Sequence, residues 1–150
     1  MYTAPAWGLA LLRVVLGVIF IMHGYFAFAV LGPARMADYI VRLGNPPALS
    51  TPLAWYLIVA HALGGLLLVL GLWTLVAALA QVPIMAAAVF LLHAPQGFFM
   101  KVVEGPEGRP TLAGYEFSLL VLTATLTIVL AGPGAPSVDV ARRHRRLPVP

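Results

Sequence analysis

Apolar residues in this chain fall into four long blocks separated by short polar stretches. The blocks cover about residues 7–31, 53–72, 75–93 and 115–131. Each is about 17–25 residues long, which at about 1.5 Å per residue crosses about 30 Å of hydrocarbon. Backbone groups in lipid must pair inside their own segment, so the pattern predicts helices. The expected architecture is an all-α membrane protein, a four-helix transmembrane bundle over residues 1–134 followed by a basic tail over 135–150.

The connections sharpen this picture. Blocks two and three are separated by little more than Trp73 and Thr74, after Gly71 as a helix stop, so they should form a tight helical hairpin. Residues 32–52 contain Met36, Tyr39, Ile40 and Leu43 at amphipathic spacing, bounded by Pro33 and the Pro46–Pro47 pair. That predicts a short interfacial helix. Residues 94–114 are rich in charge, Gly and Pro and read as a water-exposed loop. Ser137 or Asp139 is placed to cap a last basic turn on the membrane surface.

Composition supports the lipid setting. Of 150 residues, 61% are hydrophobic and 9% charged, and the mean hydropathy is +0.96. A water-soluble fold of this size has too much surface to hide that apolar content. The first block continues past the length of a secretory signal core and has no basic stretch before it, so it reads as a retained membrane helix. The chain has no cysteine, which excludes disulfides, thiolate metal sites and Cys-based redox chemistry. Its net charge of +4 owes much to "RRHRR" at 142–146. Beside a membrane helix that run marks a cytoplasmic, lipid-facing end and not a nucleic-acid site. Four crossings put both termini on one side, and the dense tail arginines together with Arg13 assign that side to the cytoplasm.

The few polar residues inside the blocks are the candidates for function. By rise per residue, Arg13 lies about 9 Å and His23 about 24 Å along the first helix, and His61 about 12 Å below the outer face. His93 closes the third helix and Glu116 opens the fourth, both on the outer side. His23, His61, His93 and Glu116 should therefore gather in the outer half, one from each helix, with Arg13 alone in the inner half. Ionisable groups in membrane helices usually face the bundle interior or a wet cavity. A neutral imidazole can bond a quinone carbonyl, and Glu116 could exchange a proton there. The plainer expectations are that His93 and Glu116 sit at the wet interface, that His23 and His61 bond between helices, and that Arg13 snorkels to water. On a helical wheel Arg13, Gly17, Phe20 and Gly24 form one stripe, with His23 about 80° away from Arg13. Gly17, Gly24, Gly64, Gly65 and Gly71 read as close-packing positions. His23 and His61 are the depth-matched pair for haem iron, but one histidine per helix carries no haem or metal signature.

Several stretches taken in order resemble the DoxX family of small bacterial membrane proteins. They are "LLRVVLGVIFIMHG" at 11–24, "GGLLLVLGL" at 64–72, "GFF" at 97–99, "GYEFSLLVL" at 114–122 and "GPGAPSVD" at 132–139. The resemblance implies a four-helix bundle in the bacterial cytoplasmic membrane. It also implies a link to redox assemblies, including subunits of thiosulfate–quinone oxidoreductases and oxidative-stress complexes. Arg13, His23, His93, Glu116 and Asp139 occupy positions retained from the family pattern. Two positions depart from it. A lysine common after the "HG" pair is Ala27 here, and a glutamate common before the "GG" of the second helix is His61.

The reading is a quinone-linked redox subunit, or the membrane anchor of an oxidoreductase assembly, with His23, His61 and Glu116 lining a pocket. The alternative is a non-catalytic scaffold that packs against membrane or peripheral partners or against further copies of itself. A solute transporter fits less well, because no matched pair of broken helices is present.

Overall fold

A computed structural model describes residues 2–104 and 110–146. Three of its helices are long and apolar enough to cross a membrane: α1 (Ala4–Leu31), α3 (Pro47–Leu70) and α4 (Thr74–Gln96). Between the first two lies the short α2 (Pro33–Arg42). An antiparallel hairpin, β1 (Lys101–Glu104) and β2 (Pro110–Ala113), comes after α4. The chain then forms α5 (Glu116–Ala131), an apolar helix of 16 residues, and ends the described part in α6 (Val138–Arg146).

The molecule is apolar outside as well as inside. Leu11, Val15, Val18 and Met22 form an exposed stripe on α1, while Arg13, Leu16, Gly17, Phe20 and Gly24 face inward. An uncovered apolar surface of this kind requires lipid and not water around it. The stripe expected from the helical wheel is thus the buried face of α1, with Leu16 added.

Glycines set the closest contact. A Cβ placed on Gly17 would lie 2.7 Å from the Gly65 carbonyl oxygen, and one on Gly65 would lie 2.7 Å from that of Gly17. Gly24 abuts the backbone of Ala62 in the same way. Without side chains at these points, α1 and α3 touch backbone to backbone, as small residues allow in membranes. Gly64 makes room instead for Gln81 of α4.

The turn between α3 and α4 forms as expected. Gly71 is left-handed (φ 65°), Leu72 N–H donates to Leu67 O at 3.0 Å, and Gly71 N–H donates to Leu68 O at 3.1 Å. This is a Schellman stop, which pairs carbonyls that the helix end would leave open. The short amphipathic helix also forms, as α2. Its Met36, Ala37 and Ile40 pack with Ala27, Ala54 and Ile58 in a small core of their own. The larger core joins α1, α3, α4 and α5 through Leu16, Phe20, Leu68, Met85, Val121 and Ile128.

Two connections hold more order than expected. The 94–114 segment, read as a loop, carries the β-hairpin; its tip, with Arg109, lies outside the described residues. Glu116 Oε1 accepts the Met100 N–H at 3.0 Å and joins the hairpin base to α5. At the opposite end, Ala135 N–H donates to Ala6 O at 3.0 Å, so the segment after α5 returns to the start of α1. Ser137 Oγ accepts the Val140 N–H at 3.2 Å and caps α6.

Candidate functional site

A cavity of about 410 Å³ lies in the half of the molecule next to α2 and the hairpin. Its walls come from α1, α2, α3, α4 and the first turns of α5, and most are aliphatic or aromatic. Three histidines line it, His23 from α1, His61 from α3 and His93 from α4. The rings of His23 and His61 stand edge to face, with centroids 6.2 Å apart and planes at 78°. Phe20 packs on His61 with centroids 5.2 Å apart.

Local helix geometry explains how the rings reach this space. Each long helix widens into a π-helical turn beside the cavity: Phe26–Leu31 in α1, Ala60–Gly64 in α3 and Ala88–His93 in α4. His61 lies inside the second of these turns and His93 ends the third. A π turn inserts a residue and rotates the helix beyond it, and such turns concentrate at functional sites. No residue pattern in the chain marks them in advance.

The hydrogen-bonding state of the lining groups decides what they can offer. Tyr56 O–H donates to Ala80 O at 2.6 Å, Ser118 O–H to Tyr115 O at 3.1 Å, and Asn45 Nδ2–H to Ile40 O at 3.1 Å. The two hydroxyl donors and one of the two Asn45 N–H donors are thus engaged. Burial pushes the Tyr39 phenol above its ordinary pKa. His23 Nδ1 bonds Ile19 O at 2.9 Å. His61 is 6% exposed, and its Nδ1 has no protein partner. Gln81, fully buried nearby on α4, donates to Ala60 O and leaves its Oε1 unpaired. Among the described residues, no group of three His, Cys, Asp or Glu side chains could hold a metal ion.

Two candidates lie elsewhere. Glu116 is absent from the cavity wall, although its neighbours Phe117 and Ser118 contribute to it. Its carboxylate points to the hairpin and bonds Met100, so a proton-exchange role in the cavity has no geometric basis. Arg13 does not snorkel. It is 2% exposed, at the end of the molecule opposite the cavity. Its Nε donates to Pro133 O at 2.8 Å and its Nη2 to Pro136 O at 2.7 Å. Its Nη1 donates to Leu68 O and to Val69 O, in the last turn of α3. The cation thus meets the negative end of a helix and the carbonyls of the 133–136 segment, and these replace water. Any side chain on Gly71 would collide with the guanidinium, which gives that glycine a second reason to be there.

Asp139, which the resemblance leaves without a role, has one in the structure. Its carboxylate accepts the N–H of Trp73 at 2.9 Å and of Thr74 at 2.9 Å. Burial pushes this carboxyl up, but the bonds from Thr74 and Trp73 and the charge of Arg142 outweigh it and hold the pKa below the ordinary value.

Long apolar helices, an apolar exterior and a half-open cavity with few polar groups define a helical membrane protein in contact with lipid. The family model for DoxX matches residues 8–94, and the chain belongs to the DoxX family. It is 34% identical over 132 residues to an uncharacterized protein of Haemophilus influenzae, covering 87% of each chain. No solved structure matches it.

Proposed function

We propose that this protein binds a quinone-type molecule in the cavity beside His23 and His61, and serves as a quinone-linked subunit or anchor of a membrane oxidoreductase. The observation that carries the reading is the shared cavity itself. Its apolar walls suit a hydrophobic ring and tail, and the imidazoles and the Tyr39 hydroxyl are lining groups with bonding capacity to spare. A buried N–H without a partner is rarer and costlier than an unpaired acceptor. With its proton on Nε2, His61 is free to donate to a ligand oxygen; with it on Nδ1, the unpaired Oε1 of the neighbouring Gln81 is the acceptor at hand. His93, which lines the same cavity, is a further candidate contact.

The same proposal sets the protein in the bacterial cytoplasmic membrane with four crossings and both termini in the cytoplasm. At about 1.5 Å per residue the 16 residues of α5 rise about 24 Å, short of a full hydrocarbon layer but completed by flanking residues. Its return to the start of α1 through the Ala135–Ala6 bond supports an even number of crossings. Exposed Arg142 and Arg143 at that end support the cytoplasmic side. Reporter tags at the two ends should respond as on one side of the membrane.

Binding is tested by titrating a short-chain quinone analogue, oxidised and reduced, into the full chain in lipid nanodiscs. The wild type should bind, and His23→Leu/His61→Leu should bind at least tenfold more weakly in both redox states. Equal binding by the double variant, or none by the wild type, removes the proposal and leaves the scaffold reading.

A further inference from the structure

We infer that the cavity selects the hydroxyl form of its ligand, a hydroquinone or similar phenol, over the carbonyl form. The inference rests on the reading of the cavity as a quinone-type site and adds a preference that the reading does not contain.

His23 is the residue whose tautomer is fixed. Its Nδ1 lies 2.9 Å from Ile19 O, one turn back on the same helix. A carbonyl oxygen only accepts, so Nδ1 must hold the proton. In a neutral imidazole the other nitrogen is then an acceptor. Nε2 lies on the far side of the ring from that bond, directed away from the α1 backbone, and the ring lines the cavity. The fixed tautomer therefore leaves an acceptor nitrogen on a ring that lines the cavity.

His61 is the complement. Its Nδ1 and the Oε1 of the neighbouring Gln81 are both buried without a bond, so either tautomer is open to the ring, and with the proton on Nε2 it donates. The two rings line one cavity with centroids 6.2 Å apart. A quinone carbonyl can accept from His61 but has nothing to give His23. A phenolic hydroxyl accepts from one ring and donates to the other. The reduced ligand satisfies both histidines, whereas the oxidised one leaves an acceptor facing an acceptor.

One additional hydrogen bond of this kind, with relief of the unpaired group, corresponds to roughly tenfold in affinity. A tenfold preference for the reduced form raises the midpoint potential of a bound two-electron couple by about 30 mV over the free couple.

The test compares three ligands of one shape, a decyl-benzoquinone, its hydroquinone kept reduced under anaerobic conditions, and the hydroquinone dimethyl ether. Calorimetric titration into the full chain in nanodiscs should rank the hydroquinone about tenfold above the quinone, with the ether no tighter than the quinone. His23→Phe should abolish the hydroquinone advantage while the quinone still binds. Equal affinities for quinone and hydroquinone in the wild type, or an ether that binds as tightly as the hydroquinone, overturn the inference while the cavity reading stands. Failure of all three ligands to bind overturns both.

Discussion

Asp139, in the first turn of α6, accepts the backbone N–H of Thr74, the first residue of α4, at 2.9 Å. It takes the Trp73 N–H with its other oxygen, and its own N–H donates to Gly71 O at 2.9 Å. One residue near the C-terminus thus holds the whole α3–α4 turn. It also supplies the acidic cap that α4 lacks within its own sequence.

Removing that cap should matter in a pH-dependent way. Asp139→Ala should lower stability by about 1–2 kcal/mol, the usual range for losing a helix cap. Because the folded carboxyl has a depressed pKa, its contribution is complete above the unfolded value near 3.9. It disappears as pH falls through the folded value. Melting curves in detergent should therefore show a gap between wild type and Asp139→Asn at pH 7 that closes in acid. A gap that persists unchanged at pH 3 would contradict the assignment.

Arg13 should resist even conservative replacement. Its planar fork reaches carbonyls at residues 68, 69, 133 and 136 together, whereas a lysine ammonium offers three donors from a single point. Arg13→Lys would leave some of those oxygens unpaired in a dry setting. The expected loss is about 2–4 kcal/mol. Thermal midpoints measured in detergent check this, and a Lys variant as stable as wild type would show that the carbonyl cluster does not hold the fold together.

The α1–α3 contact predicts a sharp difference between two glycines on one helix. Gly17→Ala would push a methyl to 2.7 Å from Gly65 O, where backbone must move. Overpacking of this kind costs about 1–3 kcal/mol. Gly8→Ala meets nothing within 4 Å and should be neutral or stabilising by up to about 1 kcal/mol. Comparable losses for both variants, read by the same melting assay, would argue against the close crossing.

The solvent decides how much of this was legible in the chain. Block lengths give the long helices directly, because hydrocarbon thickness fixes them. Gly71 and the amphipathic spacing around Met36 and Ile40 are local signals, and both elements formed where expected. Rotational phase is a different matter. A helix apolar on every side has little amphipathic contrast, so the facing of His23 toward His61 was not decidable, nor was the turning of Glu116 toward Met100. The three π turns shift phase again without any compositional mark. Arg13 misled for a related reason. Near the end of a span a lone arginine reads as snorkelling, and its acceptors come from residues more than fifty positions away.

The two departures from the family pattern converge on one place, since Ala27 and His61 both line the cavity and both are buried. If a lysine and a glutamate at these positions pair across the cavity, their joint absence leaves no orphan charge. Reintroducing one member should therefore be harmful and reintroducing both much less so. Ala27→Lys alone places a cation against apolar walls and should lower stability by about 3 kcal/mol or more. His61→Glu alone should be harmful to a lesser degree, because a carboxyl can take up a proton and become neutral. In the double variant each charge answers the other, so a double-mutant cycle should return a favourable coupling above about 1 kcal/mol. Chemical denaturation in detergent measures it. Strictly additive losses would mean that positions 27 and 61 do not meet across the cavity, and that the histidine is not the remnant of a lost pair.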